Sequence, residues 1–257
     1  MSLIEFLKDK NICILGYGKQ GKSTFKYIRK HFPNKIITIA DKNENIDKTE
    51  LDENVSFKLG DSYLNNIEDF DLIIKAPGVI LKDIDISKFE DKIITDYELL
   101  LRFSPGIKIG ITGTKGKSTT STFLYNVLKE QGKNAFLLGN IGTPILDEID
   151  NITNNSYIVI EVSSHTLEFA KLSPNIAILL DIYPEHLDHC SFENYIKSKF
   201  NIAKFQKNKD IFIYNAENEI MRKYNFKYKE DDIGVFFDYY NDSIKNKVYL
   251  KDNRNIF

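Results

Sequence analysis

The sequence is poor in three features that would each point to a particular class of protein. Its two cysteines, Cys13 and Cys190, are too few for a disulfide framework and lack the spacing of metal ligands. No basic run is present, and 35 Lys and Arg face 37 Asp and Glu, which argues against nucleic acid as a partner. No stretch reaches the roughly 20 apolar residues of a membrane span.

The start of the chain, MSLIEFLKDK, places charges where a signal peptide needs an apolar core. Together these absences predict a cytoplasmic protein without membrane insertion, whose partners are small molecules. We also expect it to be a monomer.

What the sequence does contain is an alternation of short apolar runs with amphipathic helical stretches. The runs lack the polar alternation of half-exposed strands, which is typical of parallel sheets covered by helices on both faces. They are residues 12–16, 35–40, 71–76, 92–95, 107–112, 135–139, 157–162, 175–180 and 211–215. The fold class predicted is therefore α/β. The length of 257 residues favours two domains, and the break signal Ser104-Pro105-Gly106 divides them into 1–104 and 105–257.

The first glycine-rich loop, GYGKQGKST at residues 16–24, fits two patterns at once. One is the Gly-x-Gly-x-x-Gly of dinucleotide-binding folds, and the other is the phosphate-loop pattern Gly-x-x-x-x-Gly-Lys-Ser. A second strand runs up to Asp41, twenty residues past Gly21, where dinucleotide-binding folds keep an acid for a ribose hydroxyl. This context favours a Rossmann-like fold for residues 1–104, with a strand-to-helix turn that binds nothing as the alternative.

The second loop, GTKGKST at residues 113–119, departs from the phosphate-loop pattern because Ile111 stands where the first glycine belongs. It still joins a buried strand to a long helix, so consecutive amides can surround a triphosphate. Lys117 can reach the β and γ phosphates, and Ser118 or Thr119 can offer a hydroxyl to magnesium. Glu161 follows 44 residues past Lys117 at the end of another buried strand, where a carboxylate for a nucleotide-bound metal is expected.

Three further stretches accompany this loop: EVSSHTLEF (161–169), PEHLDHCSFENYIKSKFNIAKF (184–205) and GNIGTPI (139–145). Together with GTKGKSTT they resemble the Mur ligases, over essentially the whole chain. The APG turn at 76–78, DYELL at 96–100 and GNIG favour the member that adds D-glutamate to UDP-N-acetylmuramoyl-L-alanine, with the L-alanine-adding relative as an alternative. The resemblance implies a Rossmann-like UDP-substrate domain followed by a phosphate-loop ATP domain with a mostly parallel sheet.

The resemblance also implies a mechanism and a set of residues. The γ-phosphate of ATP passes to the substrate carboxylate, and the amine of D-glutamate attacks the acyl phosphate. The implied catalytic residues are Lys117, His186 and Lys199, of which Lys199, four residues after Tyr195, matches a carbamylated lysine of the family. The implied ATP-binding residues are Gly113, Thr114, Lys115, Gly116, Lys117, Ser118 and Thr119, and the implied magnesium ligands are Ser118, Glu161, His186 and Lys199.

The resemblance also implies that the first glycine-rich loop, in the first domain, binds UDP and not a dinucleotide. The implied substrate contacts are Gly18, Lys19, Gln20, Asp41, Lys42 and Gly78, with Asn140 and Ser163 holding the muramoyl-alanine arm. Ala76, Thr166, Asp181 and Glu185 depart from the residues usual in the family, and these departures affect the fine contacts to substrate.

Family members also carry a third domain, preceded by an HNxxN-type motif, and neither occurs in this sequence. We therefore expect a fragment that binds UDP-substrate but forms the amide inefficiently by itself. Two other functions stay open: a non-catalytic module that binds a UDP-linked precursor, and an NAD-dependent oxidoreductase that uses the first loop.

Overall fold

A computed structural model describes residues 1–81, 84–185, 191–215, 218–223, 233–237 and 248–249. The chain divides into two compact units, of which the first comprises Met1–Ser104 and Thr143–Ile152 and the second comprises Pro105–Gly142 and Thr153–Phe257. No helix in the described ranges combines the length and apolar character needed to cross a membrane.

The helices and strands alternate along both units. The strands are β1 (Ile12–Leu15), β2 (Ile37–Asp41), β3 (Val55–Leu59), β4 (Leu72–Lys75), β5 (Ile93–Ile94), β6 (Ile107–Thr112), β7 (Asn134–Gly139), β8 (Ser156–Glu161), β9 (Ile176–Leu179), β10 (Ile211–Tyr214), β11 (Ile233–Phe237) and β12 (Val248–Tyr249). The α-helices are α1 (Leu3–Lys8), α2 (Lys19–His31), α3 (Asp96–Phe103), α4 (Lys117–Glu130), α5 (Ile145–Glu148), α6 (Ser164–Leu167), α7 (Phe192–Lys204) and α8 (Glu219–Lys223). Short 3-10 turns cover Gly60–Ser62, Ile67–Asp69, Glu90–Lys92 and Ile149–Asn151.

The first unit contains a five-stranded parallel sheet in the order β3-β2-β1-β4-β5. Every residue of β1 and β4 is buried, which explains why all of them are apolar except Lys75 at the end of β4. The strand order reverses on either side of β1, and ligands of such sheets bind beyond the carboxyl ends of the strands at this point. The loop that follows β1 is the first glycine-rich loop.

Residues Thr143–Ile152 belong to the first unit, whereas the predicted boundary at residue 104 places them in the second. Within this segment Ile145, Leu146 and Ile149 are buried, and α5 contacts α2. At the surface, the Asp150 carboxylate lies 2.7 Å from Lys30 Nζ and 3.2 Å from His31 Nε2, both on α2. The chain therefore returns to the first unit after β7 and leaves it again before β8.

The second unit contains a seven-stranded sheet in the order β12-β11-β10-β9-β6-β8-β7, in which only the β11–β12 pairing is antiparallel. Its core includes Ile109 and Ile111 of β6 and Val159 of β8. The predicted α/β class, with a Rossmann-like first part and a mostly parallel second sheet, is confirmed. Each of the nine predicted apolar runs contains a strand.

Strand β3 has no counterpart among those predictions. It lies at the edge of the first sheet, and Ser56 and Phe57 in its middle are exposed. An edge strand needs few buried residues, so its sequence carries no continuous apolar run.

Candidate functional site

The three glycines of the first loop occupy positions with different steric demands. Gly16 has φ of +92°, a left-handed conformation that disfavours other residues. A side chain at Gly21 would overlap the carbonyl oxygen of Gly16, whereas one at Gly18 would meet no atom within 4 Å. Gly16 therefore suits a tight turn, and Gly21 allows the helix to pack closely on the strand. Gly18 leaves the backbone open to the approach of a diphosphate.

The two residues that complete the phosphate-loop pattern in this first loop do not serve it. The Lys22 ammonium lies 2.6 Å from Asp47 Oδ2 in an exposed ion pair. Lys22 and then Thr49, through its hydroxyl and amide, hold the pKa of Asp47 well below its usual range. Ser23 is buried in α2, and its hydroxyl has no hydrogen-bond partner in the described structure. In a phosphate loop this lysine reaches the β and γ phosphates instead.

Asp41 shapes the first loop from the end of the neighbouring strand. One carboxylate oxygen accepts a hydrogen bond from the Tyr17 amide at 2.7 Å, and the other accepts from the Asn43 amide at 2.8 Å. The carboxylate therefore fixes the residue that follows Gly16, a structural role in addition to the predicted contact with substrate.

The other predicted contacts of the first unit lie at the same edge of its sheet. Gly18, Lys19 and Gln20 follow β1, Lys42 follows β2, and Gly78 follows β4. Gly18, Lys19, Lys42 and Gly78 are exposed. A side chain at Gly18 or Gly78 would meet no atom of the described residues within 4 Å of its Cβ. Because β1, β2 and β4 are parallel neighbours, these residues line one open edge.

The second loop runs from β6 into α4 and depends on two glycines. Gly113 has φ of +150° and lies against Leu180, while Gly116 has φ of +84° and precedes the first residue of α4. The Thr114 amide donates to the Asp181 carbonyl at 2.9 Å, which ties the loop to the chain after β9. No side chain caps α4, so its first amides are available to an anion at the positive end of the helix dipole.

Two lysine ammonium groups meet at this loop. Lys117 Nζ donates to the Gly113 carbonyl at 3.1 Å and to the Thr114 carbonyl at 3.0 Å, and Lys199 Nζ donates to the Gly113 carbonyl at 2.8 Å. Lys199 is only 1% exposed. Burial, helped by the charge of Lys117 and opposed by Glu185, lowers the pKa of Lys199 to about 7. The loop thus concentrates positive charge where an anion would bind.

Glu161 provides the negative counterpart at the end of β8. It pairs in register with Ile111, two residues before the loop begins, and its side chain is 5% exposed. Its Oε2 atom is buried without a hydrogen-bond partner in the described structure. A buried carboxylate oxygen without a partner is costly, and a magnesium ion would satisfy it, so the residue fits a metal ligand.

The remaining predicted metal ligands are only partly described. Ser118 and Thr119 lie exposed in the first turn of α4, while His186 lies outside the described residues. Within the described ranges no group of three His, Cys, Asp or Glu side chains is placed to hold a metal.

A cavity of about 580 Å³ lies beside the loop at the carboxyl ends of β9 and β10. Asp181 in its wall accepts hydrogen bonds from the side-chain amides of Asn215 at 3.2 Å and Asn218 at 2.9 Å. Lys115 and Thr120 line the side toward α4. The volume lies within the usual range for small-molecule sites, about 300–1,000 Å³.

Asn140 and Ser163, predicted to hold the substrate arm, flank Glu161. The Asn140 amide donates to the Glu161 carbonyl at 3.1 Å, and its side chain is exposed. The Ser163 hydroxyl caps α6, since it accepts from the Thr166 amide at 3.2 Å and lies 3.0 Å from the Thr166 hydroxyl. Ser163 is therefore already engaged by Thr166, one of the positions that departs from the family pattern.

One residue that contacts the loop had no role in the sequence-based prediction. The Tyr195 hydroxyl lies 3.1 Å from Thr114 Oγ1, and the tyrosine is 1% exposed. The only signal in the sequence is its spacing, one helical turn before Lys199.

Comparison with known proteins matches both units. The family description "Mur ligase middle domain" matches residues 111–255, and "Mur ligase MurD-like, N-terminal domain" matches residues 10–97. The UDP-N-acetylmuramoylalanine--D-glutamate ligase of Clostridium kluyveri is 36% identical over 231 residues, which cover 84% of this chain and 49% of the relative. The enzyme of the same name from Acetivibrio thermocellus is 33% identical over 234 residues, covering 88% and 50%.

A solved structure shares the fold. The UDP-N-acetylmuramate:L-alanyl-gamma-D-glutamyl-meso-diaminopimelate ligase from Neisseria meningitides aligns with a TM-score of 0.52 at 15% identity, covering 96% of this chain and 85% of that one. The chain spans about half the length of the curated relatives that it matches.

Proposed function

Because the chain belongs to the Mur ligase family, we propose that it serves the ATP-dependent joining of D-glutamate to UDP-N-acetylmuramoyl-L-alanine. The two relatives described above carry this reaction in their name. Since the chain spans about half of their length, amide formation is assigned to the whole protein. The share of this chain is to bind the UDP-linked substrate in its first unit and magnesium-ATP in its second.

The observation that carries the proposal is the arrangement of charges around the second loop. Lys117 and Lys199 both donate to the Gly113 carbonyl, and the partnerless oxygen of Glu161 lies at the end of the adjacent strand. An anion beside Lys117 and a cation beside Glu161 would neutralise these two charges. Magnesium-ATP supplies the two together, which neither NAD nor a sugar diphosphate alone does.

The residues of the loop would act on the phosphates by position and charge. The first amides of α4 and the loop amides bind the phosphate oxygens, and Lys117 offsets charge on the γ-phosphoryl group as it moves. That group passes from ATP to the substrate carboxylate and leaves ADP. The amine of D-glutamate then attacks the acyl phosphate, so the amide forms and inorganic phosphate departs.

Ser118, Glu161 and His186 would hold magnesium, which supplies charge neutralisation between the phosphates and the substrate carboxylate. Lys199 would contribute in its carbamylated form, which carries a negative charge. Carbamylation requires a neutral amine, and the burial that lowers the pKa of Lys199 to about 7 supplies that form near neutral pH. The nucleoside half of ATP fits the cavity beside Lys115 and Asp181.

The open edge of the first sheet would receive UDP. Gly18 leaves room for the diphosphate at the start of α2, and Lys19 and Lys42 bring positive charge to the same edge. Gln20, Asp41 and Gly78 complete this site. Asn140 and Ser163 would meet the muramoyl-alanine arm near ATP.

Calorimetric titration of the chain separates this proposal from the alternatives. Magnesium-ATP and UDP-N-acetylmuramoyl-L-alanine should each bind, and either at 100 times its dissociation constant should stabilise the fold by about 2.7 kcal/mol. Binding of the UDP-substrate without magnesium-ATP would instead indicate a precursor-binding module. Binding of NAD in place of both would identify the first loop as a dinucleotide site and overturn the proposal.

A further inference from the structure

Tyr195 connects α7 to the second loop through both ends of its side chain. Its hydroxyl lies 3.1 Å from Thr114 Oγ1, and its ring centroid lies 4.6 Å from Lys199 Nζ. We propose that Tyr195 is a positioning residue, which fixes the phosphate loop and Lys199 relative to each other for nucleotide binding. This inference rests on the proposed function, in which the second loop binds ATP.

The hydroxyl end completes a set of hydrogen bonds around Thr114. Thr114 Oγ1 accepts from the Tyr183 amide at 2.9 Å and can donate its single proton to the Tyr183 carbonyl at 3.2 Å. The Tyr195 hydroxyl and Thr114 Oγ1 share a further hydrogen bond at 3.1 Å in which either can be the donor, and the Tyr195 proton can instead be donated to Glu185 Oε2 at 3.5 Å. Because Tyr195 is 1% exposed, water does not compete for this bond.

The ring end contacts the ammonium group of Lys199 in its unmodified, protonated form. A cation within about 6 Å of an aromatic centroid is attracted to the ring face, more strongly when both are removed from water. Lys199 lies one helical turn after Tyr195 on α7, which places ring and ammonium on the same face. The Gly113 carbonyl binds the ammonium at 2.8 Å, so the ring and the carbonyl together define its position.

The next residue of the loop is tied to the same tyrosine through Glu185. Lys115 Nζ lies 3.0 Å from Glu185 Oε1, and the Tyr195 hydroxyl lies 3.5 Å from Glu185 Oε2. Gly113 thus contacts Lys199, Thr114 contacts Tyr195, and Lys115 contacts Glu185, whose other carboxylate oxygen lies near the Tyr195 hydroxyl. The helix α7 therefore supports the loop through two buried side chains, Tyr195 and Lys199.

The test compares two tyrosine-to-phenylalanine variants of the chain. Tyr195→Phe keeps the ring under Lys199 and removes only the hydroxyl. Tyr97→Phe is the matched control, because Tyr97 is also 1% exposed but lies in the first unit. Magnesium-ATP affinity is measured by calorimetry, and the phosphorus NMR signals of bound ATP report the surroundings of its phosphates.

Tyr195→Phe should bind magnesium-ATP about fivefold more weakly, the effect of one hydrogen bond of about 1 kcal/mol, and should shift the β and γ phosphorus signals. Tyr97→Phe should match the wild-type chain in both measurements. In a Thr114→Val background, Tyr195→Phe should weaken binding less than it does in the wild-type chain, because the bond to Thr114 is already absent.

Several results would overturn the positioning role. Wild-type affinity and unshifted phosphorus signals in Tyr195→Phe would do so, as would an undiminished effect in the Thr114→Val background. A Tyr195→Phe chain that never folds would assign the residue a structural role instead. Failure of the wild-type chain to bind magnesium-ATP would refute the proposed function first, and the role of Tyr195 with it.

Discussion

The two glycine-rich loops each leave a central parallel strand and enter a helix, but their lysines have opposite surroundings. In the first loop Lys22 turns outward to Asp47. In the second loop Lys117 folds back onto the carbonyls of Gly113 and Thr114. The first loop therefore fits the phosphate-loop pattern more closely, yet its lysine side chain points away from the loop and toward Asp47. The comparison shows that the ligand of a glycine-rich loop is better predicted when the residues at the ends of the neighbouring strands are considered as well. Here these residues are Asp41 and Glu161.

The largest effect expected is on magnesium-ATP affinity, when Lys117 and Lys22 are each replaced by alanine in separate variants. Lys117→Ala should weaken magnesium-ATP binding roughly 100-fold, or about 2.7 kcal/mol, because charge-assisted hydrogen bonds to phosphate are lost. Lys22→Ala should leave it unchanged. Calorimetric titration of both variants measures the contrast, and equal losses in the two would show that the first loop also holds ATP.

The next largest effect is expected on stability, when alanine replacements at two glycines of the first loop are compared. Gly21→Ala should destabilise the first unit by about 2 kcal/mol, since its side chain would overlap the Gly16 carbonyl. Gly18→Ala should leave the stability unchanged, because the site is open, but should weaken binding of UDP-N-acetylmuramoyl-L-alanine. Urea unfolding and calorimetry measure the two effects. A Gly18→Ala variant with wild-type affinity would place the diphosphate elsewhere.

Much of this architecture could be predicted from the sequence, because the signals concerned are local. Buried strands produce apolar runs, and the motifs around the second loop lie in contiguous stretches, so the α/β class and the Mur ligase family are both confirmed. The assignments of individual site residues stay predictions, and His186 lies outside the described residues.

What the sequence did not predict depends on contacts between distant residues or on backbone groups. Thr143–Ile152 belongs to the first unit, where Asp150 contacts Lys30, 120 residues away in the chain. Asp41 binds the Tyr17 amide, and a backbone amide has no residue-specific signature. The contact of Tyr195 with Thr114 spans 81 residues, so neither residue indicates the other.

Removing the charge of Glu161 tests the metal side of the second loop. Glu161→Gln keeps the shape of the side chain but lacks the carboxylate that magnesium needs. ATP affinity in the presence of magnesium should fall about tenfold, or about 1.4 kcal/mol, while affinity for ATP in excess EDTA should be unchanged. The conservative variant Glu161→Asp should retain part of the magnesium effect. An unchanged magnesium dependence in Glu161→Gln would assign the metal to other ligands.

The last contrast uses pH to separate a buried lysine from one at the surface. The pKa of Lys199 in the folded chain, about 7, lies below the ordinary lysine value of about 10.4. Between these values the unfolded chain binds more protons than the folded one, so the free energy of unfolding rises with pH, by at most about 1.4 kcal/mol per pH unit for this one proton. Lys199→Met should lose this rise, while Lys22→Met should keep it, because Lys22 is an exposed member of a surface pair. Urea unfolding from about pH 7 to pH 9 measures the difference. A pH profile that Lys199→Met leaves unaltered would mean that the lysine is charged in the folded chain, and that its neutral form is not the state available to carbamylation.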